Sequence, residues 1–313
     1  DVKKIIKFEK DKYGVTKQKS VSIVRNLLRK KKEIGVDELL KLYDENGVAP
    51  DMIIKEAKKI GVDVEIPENF YALVSELHET DEQKHVVNKE IGLNLEDVVA
   101  TDVKYFEDYE IVEFKAKVVK QQGRYLVLNE SYFYPTSGGQ LHDVGTIAGE
   151  EIVEVVKQGN WIVHVMKKEH KFPVGEEVAC KIDRERREQL TQHHTSAHIL
   201  NAAARKVLGN HVNQASAHKE IDKARLDITH YKALSDSEKA EIEKEANKII
   251  SDKIGMVSSF MSREDAEQSF GVRIYQGGVA PGKKLRIVEI AGVDVEACGG
   301  THLKNTFEVG MIK

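Results

Sequence analysis

His193-His194-Thr195-Ser196-Ala197-His198-Ile199-Leu200-Asn201-Ala202-Ala203-Ala204 specifies a helix and a chemistry together. Ala197, Leu200, Ala204, Val207 and Leu208 recur at three- and four-residue steps, and Leu208-Gly209-Asn210 is a helix stop. Residues i and i+4 share a helix face, so His194 and His198 can grip one ion. Far along the chain, Cys298-Gly299-Gly300-Thr301-His302 supplies a second pair of ligand types, Cys298 and His302. Imidazole and thiolate together suit Zn²⁺, and four such ligands fill a tetrahedron. Each half has an ordinary reading: helix polarity, a small buried thiol, a glycine turn. The conjunction points to one zinc ion.

The composition frames this site. The chain has 313 residues, 41% hydrophobic and 32% charged, enough for two or three domains with real cores. A net charge of −4 means that the chain as a whole is no basic nucleic-acid clamp, so any RNA contact is local. No apolar run is long enough to span a membrane and no signal-peptide pattern opens the chain, which suggests a cytoplasmic protein. Cys180 and Cys298 are the two cysteines; a charge-rich cytosolic chain argues against a disulfide between them. The chain starts without Met, and Gly310-Met311-Ile312-Lys313 reads as the opening of another strand, so a piece of a longer protein is expected.

Three regions follow from the patterning. Residues 1–100 read as helical. Val15 to Lys32 carries seven Lys or Arg and no acid, either a solvated face or a contact for RNA phosphate. Asp37 is expected to cap a second helix, Pro50 to start a third that Gly61 ends, and a further helix is expected around Tyr71 to His78, followed by a polar linker at 79–85. Over 101–182 the period changes to two. Val112–Val118, Tyr125–Leu128, Glu151–Val156 and Trp161–Val165 alternate between glycine-bearing turns, which predicts a small antiparallel β-barrel. Over 183–313 helices and strands mix into an α+β domain. Arg225–Thr229, Lys284–Ile290 and Val293–Ala297 read as strands, and Ser235-Asp236-Ser237-Glu238 as a capping box.

Phe133-Tyr134-Pro135-Thr136-Ser137-Gly138-Gly139-Gln140, the histidine helix and the Cys298-to-His302 turn occur in that order. Together they resemble the editing region of alanyl-tRNA synthetases, archaeal-like in the turn Asn213-Gln214-Ala215-Ser216-Ala217-His218. Leu42-Tyr43-Asp44-Glu45-Asn46-Gly47 with Pro50 resembles the segment that precedes editing in the full synthetase. The resemblance implies a deacylase for Ser-tRNA(Ala) or Gly-tRNA(Ala), with His194, His198, Cys298 and His302 holding Zn²⁺. It also matches Gln214 to a polar position of the editing pocket, taken here as the catalytic candidate, and sets Gly138, Gly139 and Gln140 at the cleft border.

Thr195 offers a hydroxyl beside the metal face. Arg225 and Asp227 share a strand face that either lines the pocket or forms a salt-linked surface. No base partner for a serine nucleophile is evident, and the helix lacks the glutamate of His-Glu-x-x-His proteases. No P-loop occurs; ATP and Mg²⁺ are assigned to an aminoacylation domain expected to be absent from this chain. The expected partner is tRNA(Ala), especially when mischarged, with room for a homodimer through parts outside the chain. The alternative is a zinc-stabilised tRNA-binding module without catalysis.

Overall fold

The computed structural model describes residues 2–30, 34–48, 50–62, 64–67, 70, 73, 91–276 and 282–313. It divides into two units, 1–90 and 91–313. The expected helix around Tyr71 to His78 and the linker at 79–85 lie outside the described residues, apart from Leu73.

In the first unit, α1 (Val2–Lys30), α2 (Val36–Asp44) and α3 (Pro50–Lys59) are helices. The basic run predicted from Val15 is, as far as Lys30, the second half of one longer helix, and Lys31 and Lys32 lie outside the described residues. Its N-terminal apolar residues Val2, Ile6, Tyr13 and Val15 are exposed, whereas Val24 and Leu28 bury against Leu39, Leu42 and Ile53. Arg25 donates through Nε to Glu56 at 2.8 Å, so part of the basic face is already neutralised. The cap of α2 is Gly35, with no side-chain hydrogen bond, and the expected cap Asp37 lies inside the first turn. Two residues beyond the cap, its carboxylate serves the helix dipole instead.

The second unit begins where Ile91, Leu93 and Leu95 pack on Val127 and Val163, on the outer face of the following strands. Their burial puts the division at residue 90 rather than at 100. Strands β1 (Asp102–Val103) and β4 (Glu130–Ser131) pair in parallel. The main sheet is built from β2 (Glu113–Gln122), β3 (Tyr125–Leu128), β5 (Gly145–Ile147), β6 (Glu150–Gln158), β7 (Trp161–Met166) and β8 (Glu177–Ile182). Its order β2-β3-β7-β6-β5-β8 closes because β2 also pairs antiparallel with β8. β8 shows why: Val178, Cys180 and Ile182 are buried and Glu177, Ala179 and Lys181 exposed, the period of a pleated strand with one face inward. Leu126, Leu128, Phe133, Ile147 and Ile162 fill the interior.

Helix α4 (Arg184–Leu208) leaves the barrel directly, capped by the Asp183 carboxylate and ended at Gly209. Arg187 anchors it. Fully buried, it donates through Nε to Asp143 at 3.0 Å, through Nη1 to Tyr109 O at 2.9 Å and through Nη2 to Tyr132 O at 2.6 Å. Helix α5 (Asp236–Ser251), opened by the predicted capping box, packs Ile242, Ala246, Ile249 and Ile250 on α4. A hairpin of β9 (Gln214–Lys219) and β10 (Ala224–Ile228) and an antiparallel sheet of β11 (Met256–Ser262), β12 (Lys284–Ile290) and β13 (Asp294–Ala297) complete the mixed α and β architecture, with α6 (Arg263–Phe270) between β11 and β12. Residues 310–313 form no strand: Gly310 turns with φ +84° and Asn247 clamps Ile312 through both backbone groups. No helix among the described residues is long and apolar enough to cross a membrane.

Candidate metal centre

α4 carries His194 and His198 on its buried face, and β13 runs straight into the Cys298-to-His302 turn. The ligand atoms of His194, His198, Cys298 and His302 all lie within 4.8 Å of one another. Cys298 Sγ is 3.3 Å from His194 Nε2 and 3.4 Å from His302 Nε2. With Zn–S near 2.3 Å and Zn–N near 2.0 Å, a tetrahedral edge between sulfur and nitrogen is about 3.5 Å. The four residues fit a zinc ion. Both cysteines are free thiols rather than a disulfide.

The protonation states agree. Burial, reinforced by nearby cations, holds His194 and His302 well below the usual imidazole range, so both are neutral and able to ligate. Burial alone would raise the Cys298 thiol; His198 and the Gly300 N–H outweigh it and bring it below its ordinary value. Gly300 is required by space rather than flexibility: a Cβ there would lie 2.0 Å from the His194 ring.

The barrel contributes the loop at 137–140. A Cβ on Gly139, at φ +75°, would lie 1.8 Å from Ala217 O, so only glycine lets this loop meet β9. Lys219 clamps it: its N–H donates to Gly139 O at 2.7 Å and its Nζ to Gly138 O at 2.8 Å. Gln140 is fully buried and spends both ends of its amide internally. Its Oε1 accepts from His194 Nδ1 at 2.7 Å and from Thr301 N–H at 3.2 Å, and its Nε2 donates to Thr301 Oγ1 at 2.9 Å. This bond places the His194 proton on Nδ1 and turns Nε2 towards Cys298, as an outer-shell partner does. Gln140, expected at the cleft border, therefore faces the ligand set. Thr195 is equally buried, accepts from Leu303 N–H at 3.2 Å and has its Oγ1 3.4 Å from His302 Nδ1.

The other candidates sit further out. The stretch read as a turn, Asn213 to His218, is strand from Gln214 onward: Gln214 opens β9 and its N–H donates to Gln276 Oε1 at 2.8 Å. Gln276 also accepts from Asn201, which donates to Glu296 at 2.8 Å, and Glu296 Oε2 is 3.4 Å from His198 Nε2. Gln214 is thus joined to the ligand set through a relay absent from any local motif. Arg225 and Asp227 pair with each other at 2.8 Å, and Asp227 accepts from Ser216 at 2.6 Å, so they form a salt-linked hairpin face.

Glu296, Asp294, Asn201, Lys219 and Arg286 were missed by sequence reasoning. Glu296 and Asp294 stand at alternate positions of a short strand, a pattern shared with any solvent-facing acid pair. Here they are buried, and burial pushes Asp294 up to about 7.

Residues 1–186 match the family model for class II (A) tRNA synthetases, and residues 285–313 match the second additional domain of threonyl and alanyl tRNA synthetases, which holds Cys298 and His302. The chain is 41% identical over 315 residues to the alanine–tRNA ligase of Methanococcus maripaludis strain C7, covering 99% of this chain and 35% of that protein. It is 42% identical over 320 residues to the alanine–tRNA ligases of Sulfurisphaera tokodaii and Ignicoccus hospitalis, again 99% of this chain and 35% of each. The chain therefore spans about a third of the length of these relatives. A class II match over 1–186 does not agree with an aminoacylation domain absent from this chain, and that expectation is set aside. With more than half of its length matched by this model, the chain belongs to the class II (A) family of tRNA synthetases.

Proposed function

We propose that this chain carries the editing activity of an archaeal-type alanine–tRNA ligase, hydrolysing the ester of Ser-tRNA(Ala) or Gly-tRNA(Ala) beside a zinc ion. The need is energetic. One added or missing small group changes binding by only about 1–3 kcal/mol, so a second, hydrolytic sieve is required. ATP- and Mg²⁺-dependent alanine ligation is assigned to the whole protein.

The observation that carries the reading is the convergence of two imidazoles from α4 with a thiolate and an imidazole from the 298–302 turn, under a barrel loop. Bound zinc supplies positive charge and Lewis acidity. The chain's own part is orientation: Gln140 and Thr195 aim His194 and His302, and Lys219 holds the Gly138–Gly139 backbone beside His194. Gln214, with no side-chain hydrogen bond among the described residues, is the polar group assigned to the ester. The exposed lysines of α1 supply phosphate contacts for the tRNA body.

The test is release of serine from Ser-tRNA(Ala), with Ala-tRNA(Ala) as control. The chain should release serine well above the no-enzyme rate, spare alanine, and lose the activity in Cys298→Ala. Equal release with and without the chain sinks the proposal. The closed, all-protein ligand set favours a second reading, a zinc-stabilised tRNA-binding module; it predicts tRNA binding without serine release.

A further inference from the structure

Arg286 on β12 carries a mostly buried positive charge with no hydrogen bond to a carboxylate among the described residues. The ionisable groups that act on it are Cys298, Tyr134 and Tyr105. Its Nη1 is spent on Cys298 O at 3.0 Å and Gly300 O at 2.9 Å, the backbone of the metal turn. Nε and Nη2 make no hydrogen bond among the described residues, and they belong to a residue that lines a cavity of about 90 Å³ together with His302, Ser258, Val288 and Lys304. A desolvated guanidinium is costly unless an anion meets it. Its planar fork matches a phosphate or carboxylate. The cavity holds the volume of about three waters, the size of one such group.

Beside this cavity lies an aromatic face. Phe106 sits under the Arg286 guanidinium at 5.0 Å, and Phe260 meets Phe106 edge-on at 5.7 Å between ring centroids. Phe260 is 51% exposed, and Lys284 Nζ is 5.4 Å from its ring centroid. Pairing of β11 with β12 sets Phe260 opposite Arg286, so fork and ring are neighbours on one sheet face. Glu107 and Asp108 also line the cavity, but Lys104 lies 2.9 Å from Glu107 and Lys304 3.5 Å from Asp108. A carboxylate alone would satisfy the fork and leave the exposed ring unused. Alternating cations and aromatic rings form the surface that takes an unpaired nucleotide, base on ring and phosphate on cation.

We propose that the Arg286 cavity and the Phe106–Phe260 face bind one unpaired nucleotide, the terminal residue that bears the ester; naming it as the tRNA end rests on the editing reading above. Arg286 takes its phosphate, Phe260 stacks its base, and the shared 298–302 turn brings the ester to the ligand set.

The zinc-loaded chain is titrated with inorganic phosphate, adenosine 5′-monophosphate and adenosine. The monophosphate should bind more tightly than either phosphate or adenosine. Phe260→Ala should weaken the monophosphate about tenfold, the usual loss of one base stack, and leave inorganic phosphate unchanged; Arg286→Met should weaken both. Phe260 is half exposed and touches no ligand residue, so its variant should keep folding and metal content. A monophosphate no tighter than phosphate, or an unchanged affinity in Phe260→Ala, overturns the site. Serine release on the same preparations separates the two claims. Release with an unaltered KM in Phe260→Ala removes the nucleotide site and leaves editing. Absent release with intact monophosphate binding does the reverse.

Discussion

The barrel and the metal-bearing region are adjoining halves of one unit, but their interiors are filled in opposite ways. Inside the barrel, Val118, Leu126, Leu128, Ile147 and Ile162 are apolar, and the buried polar pair Ser131 and His164 satisfies itself at 2.9 Å. Around the ligand set, His194, His198, Asn201, Lys219, Asp294, Glu296 and His302 are all buried. Several of their polar atoms, His198 Nδ1, Asn201 Oδ1 and Asp294 Oδ2, have no hydrogen-bond partner among the described residues. Burying polar groups costs several kcal/mol unless they are matched. The barrel interior is stabilised by apolar contacts, whereas the second interior gathers ligand-type side chains that could hold a metal ion.

The contrast can be broken most forcefully by removing the metal. Chelation should unfold or loosen residues 183–313 while the barrel keeps its cooperative transition, because ligand binding energy is folding energy only where the ligands are. Backbone amide exchange, followed region by region, checks it; equal loss of protection in both regions would refute the contrast.

Arg187 is where the halves are bolted together, and Arg187→Met leaves Asp143 buried without its partner. A loss of about 3–5 kcal/mol in denaturant unfolding is expected. A cost under about 1 kcal/mol, the worth of an exposed pair, would show that the joint contributes little.

His164 provides a probe confined to the barrel. Burial brings its pKa down to about 4 from the ordinary 6.5, with Leu126 O opposing only in part. Above pH 6.5 neither state is protonated and the full stability is present. As the pH falls from 6.5 towards 4, the unfolded chain gains a proton that the folded barrel refuses, and up to about 3 kcal/mol is lost. His164→Gln should remove that slope from pH-dependent thermal unfolding; a slope unchanged by the substitution would assign it elsewhere.

Gln140 offers the finest cut. Gln140→Leu should lower zinc affinity about 10–100-fold, while Gln140→Glu, which keeps an acceptor for His194, should retain most of it. If only KM for aminoacyl-tRNA moved and zinc affinity did not, Gln140 would belong to the substrate instead.

Much of this was legible along the chain. Alternation from Val112 to Val118 announced a strand with one face turned inward, and the four-residue step from His194 to His198 announced a shared helix face. Cys298 and His302 were legible because glycines between two ligand types leave few other readings. Asp37 was misread as a cap because an acid two residues past Gly35 and an N-cap acid look alike in one dimension. Gln140 was read as a cleft residue because a buried amide and an exposed one are the same letter.

The sequence by itself determined the strongly periodic helices and strands, such as the histidine helix and Tyr125–Leu128, and which four side chains have metal chemistry, because periodicity and ligand type are local properties. Tertiary structure alone decided that Gly300 must be glycine to admit the His194 ring, that Gln140 from the barrel orients that ring, and that Arg286 is held against the backbone of the 298–302 turn. Each depends on a distance between residues far apart in the chain, and hydrogen bonds, steric limits and desolvation act through such distances rather than through sequence separation.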